Sequence, residues 1–150
     1  MRSVPNGSKN MTILIDTNVI LDILLNRKPW YTNAALIFGL SQQNIIKSYV
    51  SASVITDIFY LTQKEHGRSA AKEAIKRILQ VFYPATVTDR NIYKALELEW
   101  EDFEDSVQYI VGEELSADYI VTRNTKDFSL SSIEAVTPEQ FIQVIADIEE

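Results

Sequence analysis

A chain of 150 residues, 46% hydrophobic and 23% charged, has the length of one domain and enough apolar side chains to bury a core. Without a single cysteine it excludes a disulfide framework and any thiolate metal site. A net charge of −7, from 21 acids against 14 Lys and Arg, argues against a broad non-specific grip on nucleic acid, although acids gathered around a cation would be neutralised there.

Residues 1–10, MRSVPNGSKN, are turn and coil formers with no apolar stretch of the signal-peptide kind. They are expected to be a disordered leader or an expression remnant, with Met11 a candidate natural start and the domain at 11–150. No apolar run approaches the ~20 residues of a membrane span, so a cytoplasmic protein is expected. TILID is a β-branched strand. Thr17 or Asn18 caps the helix VILDILLN, and Pro29 opens a second helix, Trp30 to Gln43. Ile45 to Val50 reads as a strand. Ser51 or Ser53 caps a helix to about His66, which Gly67 ends, and Ser69 to Phe82 is the next helix. Ala85 to Thr88 reads as a third strand, followed by helices from Asp89 to Leu98 and from Asp102 to about Leu115. Asp118 to Thr122 and Ile133 to Val136 are a fourth and a possible fifth strand. Thr137-Pro138-Glu139 gives the last helix its cap, proline and first-turn acid.

Strands and helices alternate, which predicts an α/β fold: a three-layer α/β/α sandwich around a central parallel sheet of four or five strands. Such folds bind ligands outside the carboxyl ends of the strands. Chain-distant acids then converge. Asp16 ends the first strand, Asp57 lies one turn into the helix after the second, and Asp102, Glu104 and Asp105 open another helix. Asn124 and Asp127 follow the fourth strand. Like charges so placed repel, and an oxygen-rich cluster selects Mg²⁺ or Mn²⁺.

Each acid also has a plainer role. Asp16 could cap a helix, but Thr17 and Asn18 are available for that. Asp57 could be a first-turn acid favoured by the helix dipole, yet it borders the apolar stripe Val54, Ile58 and Leu61. Asp102 and Asp105 have capping-box spacing, and both roles can hold together, since i and i+3 share a face. Glu104 lies off that direction and is expected in solvent. Thr122 and Asn124 could orient water or ligand, with Arg123 or Lys126 reaching a phosphate. Asp118, at the opposite edge, is expected to be structural. Trp30, Tyr31, Trp100 and Phe103 could stack bases or simply pack. The lone His66 suits a helix-end dipole contact, and neither a Gly-rich phosphate loop nor a Ser-His-Asp set can be assembled.

ILIDTNVILDILL, SASVITDIFYL, DFEDSVQY and ADYIVTRNTKDF, in that order, resemble a PIN-domain ribonuclease, and among these the VapC-like toxins of type II toxin–antitoxin modules. The resemblance implies a metal site in which Asp16, Asp57 and Asp105 hold Mg²⁺ or Mn²⁺, with Asp102 in the same motif and Thr122 as the family's hydroxyl residue. Asp57 stands where the family more often has Glu, and Asn124 where it often has Asp, with Asp127 nearby. Asn18, Arg123 and Lys126 are assigned to substrate, and Arg27 and Lys28 are further basic candidates. The implied activity is metal-dependent endoribonuclease hydrolysis of single-stranded or loop RNA, leaving 5′ phosphates. The implied partners are a small antitoxin protein and a second copy in a homodimer. Rival readings are a catalytically impaired PIN-like module that binds RNA or protein, a free-standing RNA-processing nuclease, and a phosphoacceptor receiver domain. The last normally needs an acid pair after its first strand and a lysine after its last, and both are missing here.

Overall fold

The computed structural model describes residues 11–149, so the expected leader at 1–10 lies outside the described residues. The chain runs β1 Met11–Ile15, α1 Thr17–Leu24, α2 Tyr31–Gln42, β2 Ile46–Ser51, α3 Ala52–His66, α4 Arg68–Val81 and β3 Tyr83–Ala85. It continues with α5 Asp89–Leu96, α6 Phe103–Glu114, β4 Tyr119–Val121, a single 3₁₀ turn Thr125–Phe128, β5 Glu134–Val136 and α7 Pro138–Glu149.

Among the described residues the sheet has five strands in the order β3-β2-β1-β4-β5, all parallel. This is the expected α/β/α sandwich. Successive residues of a strand face opposite sides of the sheet. Ile13 and Ile15 therefore join one core with Val19, Ile20, Ile37, Val54, Phe82 and Phe141, under α1 to α4 and α7. Leu14 joins the other with Val107, Ile110, Ile120 and Phe128, under α5 and α6. The near-continuous apolar reading of TILI follows from this double burial. From β1 the chain builds outward through β2 to β3, then returns to lay β4 against the free side of β1. The direction of winding reverses between β1 and β4, where an open α/β sheet leaves its ligand crevice.

Three expectations shift. The third strand is Tyr83–Ala85 rather than Ala85–Thr88. Thr88 has left the sheet because its N–H donates to Asn91 Oδ1 (2.8 Å) while its Oγ1 accepts from Asn91 N (3.2 Å), a capping box for α5. Pro84 is tolerated because β3 is an edge strand. The second correction concerns α1, which begins at Thr17 with Asp16 itself as the cap, not Thr17 or Asn18. The third is that Pro29 and Trp30 precede α2, which starts at Tyr31. Other punctuation matches. Ser51 caps α3, and Gly67, at φ 88°, ends it and leads into α4. Asp118 is structural: its Oδ2 accepts from Thr12 N (2.8 Å) and its own N–H donates to Thr12 O (2.7 Å), pinning the start of β4 to β1.

Phe82 is fully buried, edge-on to Phe38 with centroids 5.5 Å apart. Phe82→Ala should lower unfolding free energy by about 3–5 kcal/mol, whereas truncating Tyr93, 68% exposed, should change it by less than about 0.5 kcal/mol. Urea denaturation of the two variants checks the contrast.

Candidate active site

The main-chain N–H of Asp16 donates to Val121 O (2.9 Å), continuing the β1–β4 pairing and placing the Asp16 side chain at the switch point. Its carboxylate is almost wholly withdrawn from water, at 8% exposure, and is saturated with donors. Oδ1 accepts from Thr17 N (2.7 Å) and from Gln108 Nε2 (2.9 Å). Oδ2 accepts from the Thr122 hydroxyl (2.8 Å) and, longer, from Asn18 Nδ2 (3.4 Å). Thr122 Oγ1 in turn accepts from Asn124 N (3.0 Å), and Asn18 Oδ1 accepts from Arg123 N (3.2 Å). β1, α1, α6 and the turn after β4 are thus tied to one carboxylate.

Asp102 caps α6, accepting from Asp105 N (2.9 Å), so the plainer of its two roles is real. The cap sets the first turn of α6 so that Glu104 and Asp105 face the strand ends. Burial, then repulsion from Asp16, Asp102, Asp127 and Glu104, pushes Asp105 from its ordinary 3.8 up to about 7. Glu104 is also raised, from 4.5 to about 7, by burial, by a hydrogen bond to Asp57, and by the charges of Asp57, Asp102 and Asp16. Both side chains keep some contact with solvent, so like-charge crowding is an essential part of the cause. Asp105 also lines a cavity of about 660 Å³ with Asp102, Lys126, Asp127, Glu99 and Glu101. One wall of it is Trp100, stacked on Tyr109 (4.9 Å between centroids) and edge-on to Phe128 (5.9 Å).

A family model described as PIN domain matches residues 12–126, the span that supplies all of these groups except Asp127 and Phe128. The chain belongs to the PIN-domain family. Among solved structures it is similar to VapBC2 from Rickettsia felis bound to a DNA fragment from its promoter (TM-score 0.64, 16% identity, 85% of this chain and 98% of that one). It is similar also to a toxin–antitoxin complex from Klebsiella pneumoniae (0.61, 21%, 84% and 97%). A third likeness is to Mycobacterium tuberculosis VapC20, a sarcin-ricin loop cleaving toxin (0.58, 16%, 72% and 86%). At these identities the likeness is one of fold. Comparison with curated protein sequences finds no significant match.

Within this PIN domain the expected site residues divide. Asp16, Thr122 and Asn18 form one hydrogen-bonded unit, and Asp105 and Asp102 stand within its electrostatic reach. Asp57 arrives through Glu104, not through Asp105; Glu104 is exposed, as its position on the helix suggested, yet it hydrogen-bonds Asp57 and feels the charges of the cluster. Asp127 acts on Asp105, while Asn124 lines a neighbouring cleft with Trp30 and Arg123. Arg123 is committed to Asp22, donating from Nε (2.8 Å) and Nη2 (3.2 Å), and Arg27 approaches the same carboxylate at 3.9 Å. Neither is the unengaged phosphate ligand expected of it. Lys126 stays beside the acids. Sequence reasoning missed Gln108 and Asp22. Each is a polar residue inside a buried apolar run, VQYIV and ILDIL, and that misfit was the available signal.

The donor set is all oxygen, which suits Mg²⁺ or Mn²⁺. Gln108 Oε1 is buried without a partner beside Asp16, a further oxygen that a hydrated cation could satisfy through water. Among the described residues no three acids already form a closed ligand set. For an ion shared by Asp16, Asp57 and Asp105, Glu104, hydrogen-bonded to Asp57, would be a further carboxylate.

In the folded chain Glu104 and Asp105 hold their protons up to about 7, whereas an unfolded chain releases them at its ordinary 4.5 and 3.8. The native state therefore binds more protons across that interval, and stability present below it is lost as pH rises toward about 7. Asp105→Asn abolishes part of the loss. Urea midpoints at about pH 5 and about pH 8, in chelator, should fall with pH in the parent and fall less in Asp105→Asn. Equal pH slopes in the two proteins would contradict the crowding.

Proposed function

We propose that this PIN domain is a metal-dependent endoribonuclease and the toxin of a toxin–antitoxin pair. One observation carries the reading: a donor-saturated Asp16 carboxylate at the β1–β4 switch point, faced by Glu104 and Asp105 that resist losing their protons. Cold structural acids are ordinarily spread out. Here they are massed where a cation and a phosphate would meet. The fold likeness to VapBC2, to the Klebsiella pneumoniae toxin–antitoxin complex and to the loop-cleaving toxin VapC20 supports both the activity and a small antitoxin partner.

Asp16, Asp57 and Asp105 are the proposed ligands of Mg²⁺ or Mn²⁺, with Glu104 as an additional carboxylate. When bound, such an ion supplies Lewis acidity to a phosphate oxygen and lowers the pKa of a coordinated water. The chain's own groups supply the rest. Thr122, Gln108 and the Thr17 N–H fix both oxygens of Asp16, so no reorganisation of that carboxylate is needed as charge develops. Asn18 and Asn124 N hold Thr122 in place as a donor. Glu104 and Asp105 would be relieved by a bound cation of the repulsion that keeps them protonated, so both would serve it as carboxylates. Lys126, beside Asp127, is the cation best placed to meet a flanking phosphate. The proposed substrate is single-stranded or loop RNA, since unstacked chain alone can thread a site at a sheet edge. A second copy in a homodimer belongs to the same proposal, and so does a cytoplasmic location. Among the described residues no helix is long and apolar enough to cross a membrane.

Cleavage of single-stranded RNA in Mn²⁺ tests the reading. Asp16→Asn should lose activity by roughly 100-fold or more, exceeding the 10- to 100-fold typical of a supporting residue. Equal cleavage by parent and variant, or none by the parent, sinks it, and the second result leaves an RNA- or protein-binding module. Gln108→Leu, which removes one donor from Asp16 at similar volume, should weaken Mn²⁺ binding by about 10- to 100-fold while the fold melts normally. Calorimetric titration reads that change.

A further inference from the structure

Beside the acids lies a second cleft, of about 460 Å³, between the approach to α2 and the start of α7. Its lining includes Trp30, Asn33, Arg123, Asn124 and Glu139. Trp30 is 43% exposed, large for an indole that precedes a core helix. The Arg123 guanidinium carbon sits 3.8 Å from the centre of its ring, a close cation–π stack. Arg123 does not float there. Its Nε and Nη2 are held by Asp22, which is fully buried, so the guanidinium plane is fixed before any ligand arrives. With Arg27 at 3.9 Å from Asp22, two guanidiniums face one carboxylate, so Asp22 is shared between them.

We propose that this cleft is a nucleobase subsite, in which Trp30 and Arg123 together form a stacking platform for one unstacked base of a single-stranded RNA. The inference rests on the proposed nuclease reading and adds a specific seat for its substrate. Four observations favour a base over a phosphate. Arg123 has already committed two of its donors to Asp22. Glu139 on the rim repels an anion. An exposed indole and a fixed guanidinium plane are the surfaces on which bases stack. Asn33 and Asn124, each both donor and acceptor, suit a base edge. The volume falls within the range of small-ligand sites. Position agrees as well: Asn124 N bonds Thr122 Oγ1 and Arg123 N bonds Asn18 Oδ1, and both partners contact Asp16. A base seated here would lie on the side of Thr122 and Asn18 away from Asp16, with its own chain free to run toward the acid cluster.

The test uses the full chain carrying Asp16→Asn, so that RNA is bound but not cut, and fluorescence anisotropy with short labelled single-stranded RNA. Adding Trp30→Ala should weaken binding on the order of tenfold, while Trp30→Phe, which keeps a ring, should stay within about threefold. Abasic substitution, walked along the RNA, should cost the Trp30 protein a similar factor at one position and cost the Trp30→Ala protein nothing further there. Unchanged binding by Trp30→Ala overturns the subsite. So does an abasic walk in which no position separates the two proteins, and this arm remains readable if Trp30→Ala folds poorly, since Trp30→Leu, which keeps apolar bulk but has no ring face, can take its place. Either failure would leave the nuclease reading standing, because that depends on cleavage lost with Asp16 and not on Trp30.

Discussion

A carboxylate that leaves water must be repaid in hydrogen bonds, and this requirement on Asp16 organises the fold around it. β1 must end at residue 16 for the side chain to stand over the sheet edge. α1 must begin at residue 17 for its first N–H to be free as a donor. β4 must pair with β1 in its observed register for Thr122 to follow directly opposite. α6 must cross that edge for Gln108 to reach Oδ1. These donors come from residues as much as 106 positions apart, so the bonds are also tertiary fasteners. The reversal of winding between β1 and β4 makes the arrangement possible, since only there do two adjacent strand ends lack a crossover helix bridging them.

The neighbouring acids do the opposite. Asp16 is satisfied, whereas Glu104 and Asp105 gain their high pKa values from burial and from the carboxylates around them, Asp57, Asp102 and Asp16 for the first and Asp16, Asp102 and Asp127 for the second. Crowding of this kind destabilises the folded chain at neutral pH, and sequences rarely retain it without a compensating ligand. A divalent cation bound only by the folded state would recover the loss through mass action. Glu104, from α6, hydrogen-bonds Asp57, from α3, and so links the two helices within the acid cluster.

Local chemistry made much of this legible beforehand. Gly67, Ser51, Asp102 and the Thr137-Pro138-Glu139 start act within one turn of backbone, and their signals do not depend on the rest of the fold. Asp16 was legible by topology, because a strand end in an alternating α/β chain points to the crevice. What escaped were contacts fixed by three-dimensional packing. Asp105 was expected at the site, but Gln108 and the Glu104–Asp57 contact were not, because which side of α6 meets the sheet edge depends on its roll against Leu14 and Ile120. Asp22 and Arg123 are 101 residues apart, and only the β1–β4 pairing brings their elements together. The third strand was misplaced because Pro84 reads as a breaker unless the strand is known to be at an edge.

The same Asp22–Arg123 pair bears on how a protein of net charge −7 would receive the polyanion proposed for it. Surface charge is screened beyond about 10 Å at ordinary ionic strength, so long-range repulsion from the acids weakens quickly and contact chemistry decides. A buried carboxylate alone would be costly, and burial does raise the Asp22 pKa despite its two arginines. What the protein gains from the cost is a guanidinium that cannot swing away, laid flat on an indole at the lip of the acid cluster. Stacking depends little on net charge and tolerates any base. In the proposed nuclease, acids that would hold a cation on one side of Thr122 and a rigid cationic aromatic face on the other would divide the tasks of cutting and holding between two corners of one sheet edge.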